Sequence, residues 1–193
     1  MKILLIDNYD SFTHMLADYV RQCGVECFVI RNDHIDLKSD EFIKTFDAFI
    51  LSPGPETPAK AGLMMDFITR HHQRKPMLGV CLGHQALGEF FGAELVKASL
   101  PRHGKVDEVR HHDHELFNHI PCNFRVTRYH SLILTGVKQP ITTIASGLNE
   151  EVMALAHSGL PLFGIQFHPE SCLTEHGLTI IKNYTEIVKQ HLR

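Results

Sequence analysis

The segment Pro76-Met77-Leu78-Gly79-Val80-Cys81-Leu82-Gly83-His84-Gln85 constrains this chain more than any other. A short apolar run reads as a buried strand that stops at Cys81, and a helical pattern follows. Glycines stand on either side of the cysteine, at Gly79 and Gly83. A sharp strand-to-helix turn brings backbone segments so close that only residues without a Cβ fit on both sides. The spacing is that of a nucleophile elbow, with cysteine in place of serine. Such a turn lifts the side chain out of the sheet and sets the sulfur at a helix N-terminus, where unpaired N–H groups favour a thiolate. A buried cysteine in an ordinary strand–helix turn fits the same residues, and this segment alone leaves both readings open.

The chain around it alternates strands and helices. Residues 2–6 read as a strand, followed by the polar loop Asn8-Tyr9-Asp10-Ser11. Ser11 reads as the N-cap of a helix that runs to about Cys23 and carries Phe12, Leu16, Tyr19, Val20 and Cys23 on one face, with Gly24 as its C-cap. A strand over 26–31, a short helix within 35–46, a strand over 47–51, a Pro- and Gly-rich loop over 52–62, a helix over 63–72 and a strand over 77–80 follow. The helix after Cys81 ends near Phe91. This predicts an α/β fold whose central sheet is mostly parallel and flanked by helices on both faces, as in flavodoxin-like folds. Ligands of such sheets gather at the carboxyl ends of the strands, which lets residues 7–11, 52–55 and 81–85 share one crevice. The second half reads as strands over 94–98, 106–110, 124–129, 141–145, 151–157 and 162–167, partly antiparallel, and so as a smaller antiparallel extension. A last helix over 174–192 places Leu178, Ile181, Tyr184, Val188 and Leu192 on one face. No repeat or flexible linker interrupts the chain, so one domain over residues 1–193 is expected.

Composition narrows the class of function. A net charge of -3 with dispersed basic residues offers no nucleic-acid surface. No apolar run approaches the length of a membrane span, and Lys2 is followed by too few apolar residues before Asp7 for a secretion signal. The cysteines Cys23, Cys27, Cys81, Cys122 and Cys172 are odd in number and irregular in spacing, which argues against a disulfide framework and for a reducing cytoplasm. No second pair joins Cys23 and Cys27 into a zinc site. The histidines His103, His111, His112 and His114 read as an exposed polar turn rather than a metal site.

A cysteine nucleophile needs a base and a group to orient that base. Gln166-Phe167-His168-Pro169-Glu170-Ser171 follows another strand end. His168 and Glu170 lie two apart, so Glu170 can hold one ring nitrogen while the other faces the thiol. On its own the pair reads rather as structural; taken with the elbow it points to catalysis. Acyl transfer also needs donors for an oxyanion. In Ser52-Pro53-Gly54-Pro55 the prolines have no N–H, which leaves Gly54 as a backbone donor in a stiff frame. The N–H of Leu82, after the nucleophile, is the second.

These segments carry a resemblance. Along nearly its whole length the chain resembles the class I, or triad, glutamine amidotransferases, on Ser52-Pro53-Gly54-Pro55, Gly79-Val80-Cys81-Leu82-Gly83-His84-Gln85 and Gln166-Phe167-His168-Pro169-Glu170. It is most similar to the small subunits of anthranilate synthase and aminodeoxychorismate synthase, on Asp7-Asn8-Tyr9-Asp10-Ser11-Phe12-Thr13, His103-Gly104-Lys105 and Arg128-Tyr129-His130-Ser131-Leu132. The resemblance implies that Cys81 attacks the side-chain amide of L-glutamine, that His168 protonates the leaving ammonia, that Glu170 orients His168, and that Gln85, Ser131 and Leu132 contact the substrate. It implies as partner a large chorismate-binding synthase subunit that makes anthranilate or 4-amino-4-deoxychorismate. It also implies no cofactor in this chain beside a magnesium-dependent partner. The candidate docking elements are His103-Gly104-Lys105 and the loop near Glu56. Departures from the family pattern stand at Glu56, at Cys172 (a packing residue or a site of oxidation) and in the turn at residues 111–114. The alternatives are a glutaminase for another ammonia acceptor, a cysteine peptidase or gamma-glutamyl hydrolase with the same triad, and a non-catalytic regulatory subunit. A flavin-binding loop at residues 7–13 is disfavoured, because Asp7 and Asp10 would repel a phosphate.

Overall fold

The computed structural model describes residues 1–98 and 104–193. Its strands are β1 (Lys2–Asp7), β2 (Glu26–Arg31), β3 (Ala48–Leu51), β4 (Met77–Val80), β5 (Glu94–Lys97), β6 (Lys105–His111), β7 (Asn123–Arg128), β8 (Leu132–Thr135), β9 (Ile141–Ser146), β10 (Val152–His157) and β11 (Leu162–Ile165). Its helices are α1 (Thr13–Gln22), α2 (Asp40–Ile43), α3 (Met64–His71), α4 (Leu82–Phe90) and α5 (Gly177–His191). Nine strands form one sheet in the order β2-β1-β3-β4-β11-β10-β9-β6-β7, and β5 pairs with β8 in a small second sheet. The pairings from β2 to β11 are parallel, and those from β11 to β7 are antiparallel. The antiparallel extension thus continues the main sheet, joined to it at β11.

Alternation along the parallel strands divides the core. Ile3 and Leu5 of β1 and Ile50 of β3 face one cluster with α1 and α5, through Leu16, Val20, Ile181 and Tyr184. Leu4, Ile6, Phe49 and Leu51 face the other with α3 and α4, through Phe67, Ile68, Leu82 and Ala86. A strand buried on both faces must be apolar at every position, which is why the strands over 2–6, 47–51 and 77–80 are readable as near-continuous runs. Among the described residues no helix is long and apolar enough to cross a membrane.

Four local expectations change. Ser11 does not cap α1: Phe12 occupies the N-cap position without a side-chain bond, and Asp10 and Asp7 bind the Phe12 N–H and the Thr13 hydroxyl at 2.8 and 2.7 Å. The last helix begins at Gly177, and Leu178 and Leu192 are exposed while Ile180, Ile181, Tyr184 and Val188 are buried. The segment over 35–46 splits into a 3-10 turn at Ile35–Lys38 and α2. The turn at residues 111–114 is not uniformly exposed. His111 is buried, stacks on Phe117 at 5.1 Å and binds the Ile120 carbonyl, while His114 accepts from the Leu116 N–H. Among the described residues no group of three or more His, Cys, Asp or Glu side chains is placed to hold a metal ion. His103 lies outside the described residues, and Gly104 and Lys105 lead into β6.

Candidate active site

Cys81 sits between β4 and α4 with φ 52° and ψ -100°, a conformation that residues with side chains rarely adopt. The glycines on either side make it possible. A Cβ at Gly79 would run into the Gly83 carbonyl and stand 2.6 Å from the His84 nitrogen. A Cβ at Gly83 would stand 2.6 Å from the Leu51 Cβ. The first turn of α4 therefore packs directly on the ends of β3 and β4. The Cys81 N–H bonds the Ile165 carbonyl at 2.8 Å, which ties the elbow to β11.

β11 stops at Ile165, short of the expected Phe167, and the chain bends there. The bend brings His168 and Glu170 under the elbow. His168 Nδ1 and Glu170 Oε1 are 2.6 Å apart, and both side chains are buried. The other ring nitrogen, Nε2, is buried without a hydrogen bond and lies within electrostatic reach of the Cys81 thiol. Burial alone would drive the imidazole neutral, but the interactions with Cys81 and Glu170 outweigh it and raise its pKa to about 10. The arrangement favours a protonated imidazole beside the sulfur.

Two further elements hold this ring. The turn after His168 is laced to β7: the His168 N–H bonds the Thr127 carbonyl, Thr174 Oγ1 donates to the His168 carbonyl at 2.7 Å, and Ser171 Oγ donates to Thr127 Oγ1 at 2.9 Å. Phe12 and Tyr129 meet the imidazole edge to face, with centroids at 5.9 and 5.1 Å. Cys172 is exposed and so is not a packing residue.

Gly54 lies beside Leu82: a Cβ there would stand 2.7 Å from Leu82 Cδ2 and 2.8 Å from the Asn8 carbonyl oxygen. Asn8 fixes the strand end leading to Gly54, its N–H bonding Ser52 Oγ at 2.8 Å and its side-chain amide the Ser52 carbonyl at 2.9 Å. A cleft of about 150 Å³ is lined by Gly54, Cys81, Gln85, Ser131 and Leu132 together with Tyr129, among others. The fold thus gathers Cys81, Gln85, Gly54, Ser131 and Leu132 around one opening, with Leu82 beside Gly54 and with His168 and Glu170 behind the thiol. Glu56 reaches the rim, where it pairs with Lys60 at 3.3 Å.

The model of the class-I glutamine amidotransferase family matches residues 4–187. The chain belongs to that family. This amidotransferase is 42% identical over 191 residues to anthranilate synthase component 2 of Azospirillum brasilense, with 97% of each chain covered. It is 43% identical over 188 residues to aminodeoxychorismate synthase component 2 of Serratia marcescens, covering 94% of this chain and 98% of that one. Among solved structures it matches a Thermoplasma acidophilum protein described as a candidate component of GMP synthase, with a TM-score of 0.89 and 28% identity over 100% of this chain and 96% of that one.

Sequence reasoning missed some contacts of this amidotransferase site. Phe12 reaches His168 from the N-cap of α1, and Gln166 Nε2 approaches Cys81 Sγ at 3.7 Å. Both residues stand inside segments that carry the family resemblance, yet side-chain direction at a loop or strand end does not follow from spacing. Arg128 is almost wholly buried and pairs with Asp107 at 2.9 Å and with Glu151. Its signal was position: Arg128 falls two and four residues after the buried Val126 and Phe124, on the inward-facing alternation of β7.

Proposed function

We propose that this chain is the glutaminase subunit of a chorismate-using synthase. It hydrolyses L-glutamine through a Cys81 thioester and passes ammonia to a large partner subunit. The observation that carries the chemistry is His168 held at 2.6 Å by Glu170 with its free nitrogen turned to the elbow thiol. The thiolate attacks the amide carbon of glutamine, and the N–H groups of Gly54 and Leu82 receive the developing oxyanion. His168 gives its proton to the departing nitrogen, so ammonia leaves and a thioester remains. Water then attacks with His168 as base, and glutamate and the Cys81 thiolate are released. Both N–H groups of the Gln85 amide are engaged, with Leu132 and Gln166, so its oxygen is the atom left to accept from a substrate in the cleft. These steps need no cofactor in this chain.

The relatives support this acceptor. Chains named for anthranilate or aminodeoxychorismate synthase reach 38% to 43% identity over nearly the full length, against 28% for the GMP synthase-like neighbour. Ammonia released into neutral water becomes ammonium and loses its nucleophilicity, so a protected passage to a docked synthase is required, and the cytoplasm supplies glutamine and the reducing conditions for Cys81. The test is glutamine hydrolysis by the complex with a chorismate-binding subunit, in wild type and Cys81→Ser. A loss of several orders of magnitude with retained folding is expected. Normal turnover in Cys81→Ser overturns the mechanism, and capture of a different synthase as the partner overturns the acceptor.

A further inference from the structure

A line of hydrogen bonds runs from the antiparallel extension to the thiol. Arg128 can only donate, and its Nε–H donates to His130 Nε2 at 3.0 Å. That nitrogen must carry a lone pair, so the neutral ring holds its proton on Nδ1, which donates to the Leu132 carbonyl at 2.9 Å. Burial, aided by the charge of Arg128, lowers the His130 pKa to about 4 and keeps the ring neutral. The Leu132 carbonyl can only accept, and Gln85 Nε2 donates to it at 3.2 Å. The second N–H of the same amide donates to Gln166 Oε1 at 3.1 Å. The Gln166 amide has then one orientation left, with Nε2 toward Cys81 Sγ at 3.7 Å. Turning it over would set two N–H groups against each other and a carbonyl oxygen against the sulfur.

We infer that Gln166 is a catalytic residue that donates a hydrogen bond to the Cys81 thiolate, in an orientation imposed by the Leu132 carbonyl through Gln85. The inference rests on Cys81 being the nucleophile proposed above. Gln166 is fully buried at the bend after β11. An apolar side chain would fill that space without the cost of desolvating an amide. The sulfur thus meets the Gln166 amide at 3.7 Å beside the imidazole of His168. Such a donor stabilises the anion before attack. It loses its charged partner in the thioester and regains it as the thiolate departs. It therefore raises the thiolate fraction before attack and stabilises the departing thiolate when the acyl group is released.

The test is the pH profile of Cys81 alkylation by iodoacetamide in the isolated chain, read by mass spectrometry of the Cys81 peptide so that the other cysteines are counted apart. In Gln166→Leu the donor is gone. In Gln166→Met the side chain keeps nearly its length and adds no charge, but it too has no donor. Both variants are expected to move the midpoint of the profile upward by about one pH unit or more, roughly a tenfold loss of reactivity below the midpoint. If Gln166→Leu does not fold, Gln166→Met decides the matter. A midpoint unmoved in the folded variant overturns the inference, because a side chain that only filled space would leave the thiol unchanged. Failure of the underlying reading shows elsewhere, as normal glutamine turnover in Cys81→Ser.

Discussion

Gly83 stands against Leu51 so closely that a Cβ on the glycine would lie 2.6 Å from the Leu51 Cβ, with the Leu51 carbonyl nearer still. Neither atom belongs to a flexible chain end, so the helix carrying Cys81 would have to lift off β3. Gly83→Ala is expected to cost about 1–3 kcal/mol, a fall in Tm of about 3–10 °C. It is also expected to slow alkylation of Cys81, because the elbow moves with the helix. Calorimetry and the alkylation rate check this, and a variant with wild-type Tm would mean that the packing relaxes freely.

The imidazole of His168 is the titrating group that the site perturbs most clearly. Its pKa rises to about 10 because Cys81 and Glu170 outweigh burial. Asp10 and His130 also feel its charge. A folded-state value above the unfolded one, about 6.5, stabilises the fold below pH 6.5, and that contribution is lost as pH rises through about 10. Wild type should therefore lose stability between pH 7 and 10 more steeply than Glu170→Gln or Cys81→Ala, each of which removes a partner of the charge. Urea titrations across that range, with nitrogen NMR of the imidazole, measure the effect. Equal slopes in all three proteins would contradict it.

The parallel half was legible because its strands are buried on both faces, and apolar runs bounded by turns cannot sit elsewhere. The elbow was legible because close backbone approach demands glycine. β8 escaped notice: Leu132–Thr135 is too short for alternation to show, and it pairs with β5 outside the main sheet. The face of α5 was misread because apolar residues circle more of that helix than the sheet covers, leaving Leu178 and Leu192 outside. The residues of the candidate site were found from turn chemistry and resemblance. Contacts set by side-chain direction, such as Phe12 on His168 and Gln166 on Cys81, carry no periodic signal.

Phe12 gives the polar loop after β1 a task. It meets both Tyr129, at 5.6 Å, and His168, at 5.9 Å, so it limits the tilt of the imidazole. An aromatic contact of this kind contributes about 0.5–1.5 kcal/mol. Phe12→Ala is expected to lower the kcat of glutamine hydrolysis by about 2- to 10-fold with little change in KM, because the ring contacts the base rather than the cleft. Steady-state kinetics of the complex would reveal a KM effect instead if Phe12 bound substrate.

Arg128 is a permanent charge held in the interior among Asp107, Glu151 and His130. Its guanidinium is almost fully buried, and Asp107 and Glu151 are nearly so. Removing the cation takes a buried partner from two carboxylates, a change that costs about 3–5 kcal/mol. Arg128→Met is therefore expected to lower Tm by about 10 °C. Neutralising both acids, with Asp107→Asn and Glu151→Gln added to Arg128→Met, should return part of that loss, since the penalty lies in buried negative charge deprived of that cation. The triple variant would still lack the donor to His130, freeing that ring to take either tautomer. Nitrogen NMR of the His130 ring checks this: a ring still protonated on Nδ1 alone, in a triple variant of recovered stability, would confine Arg128 to packing.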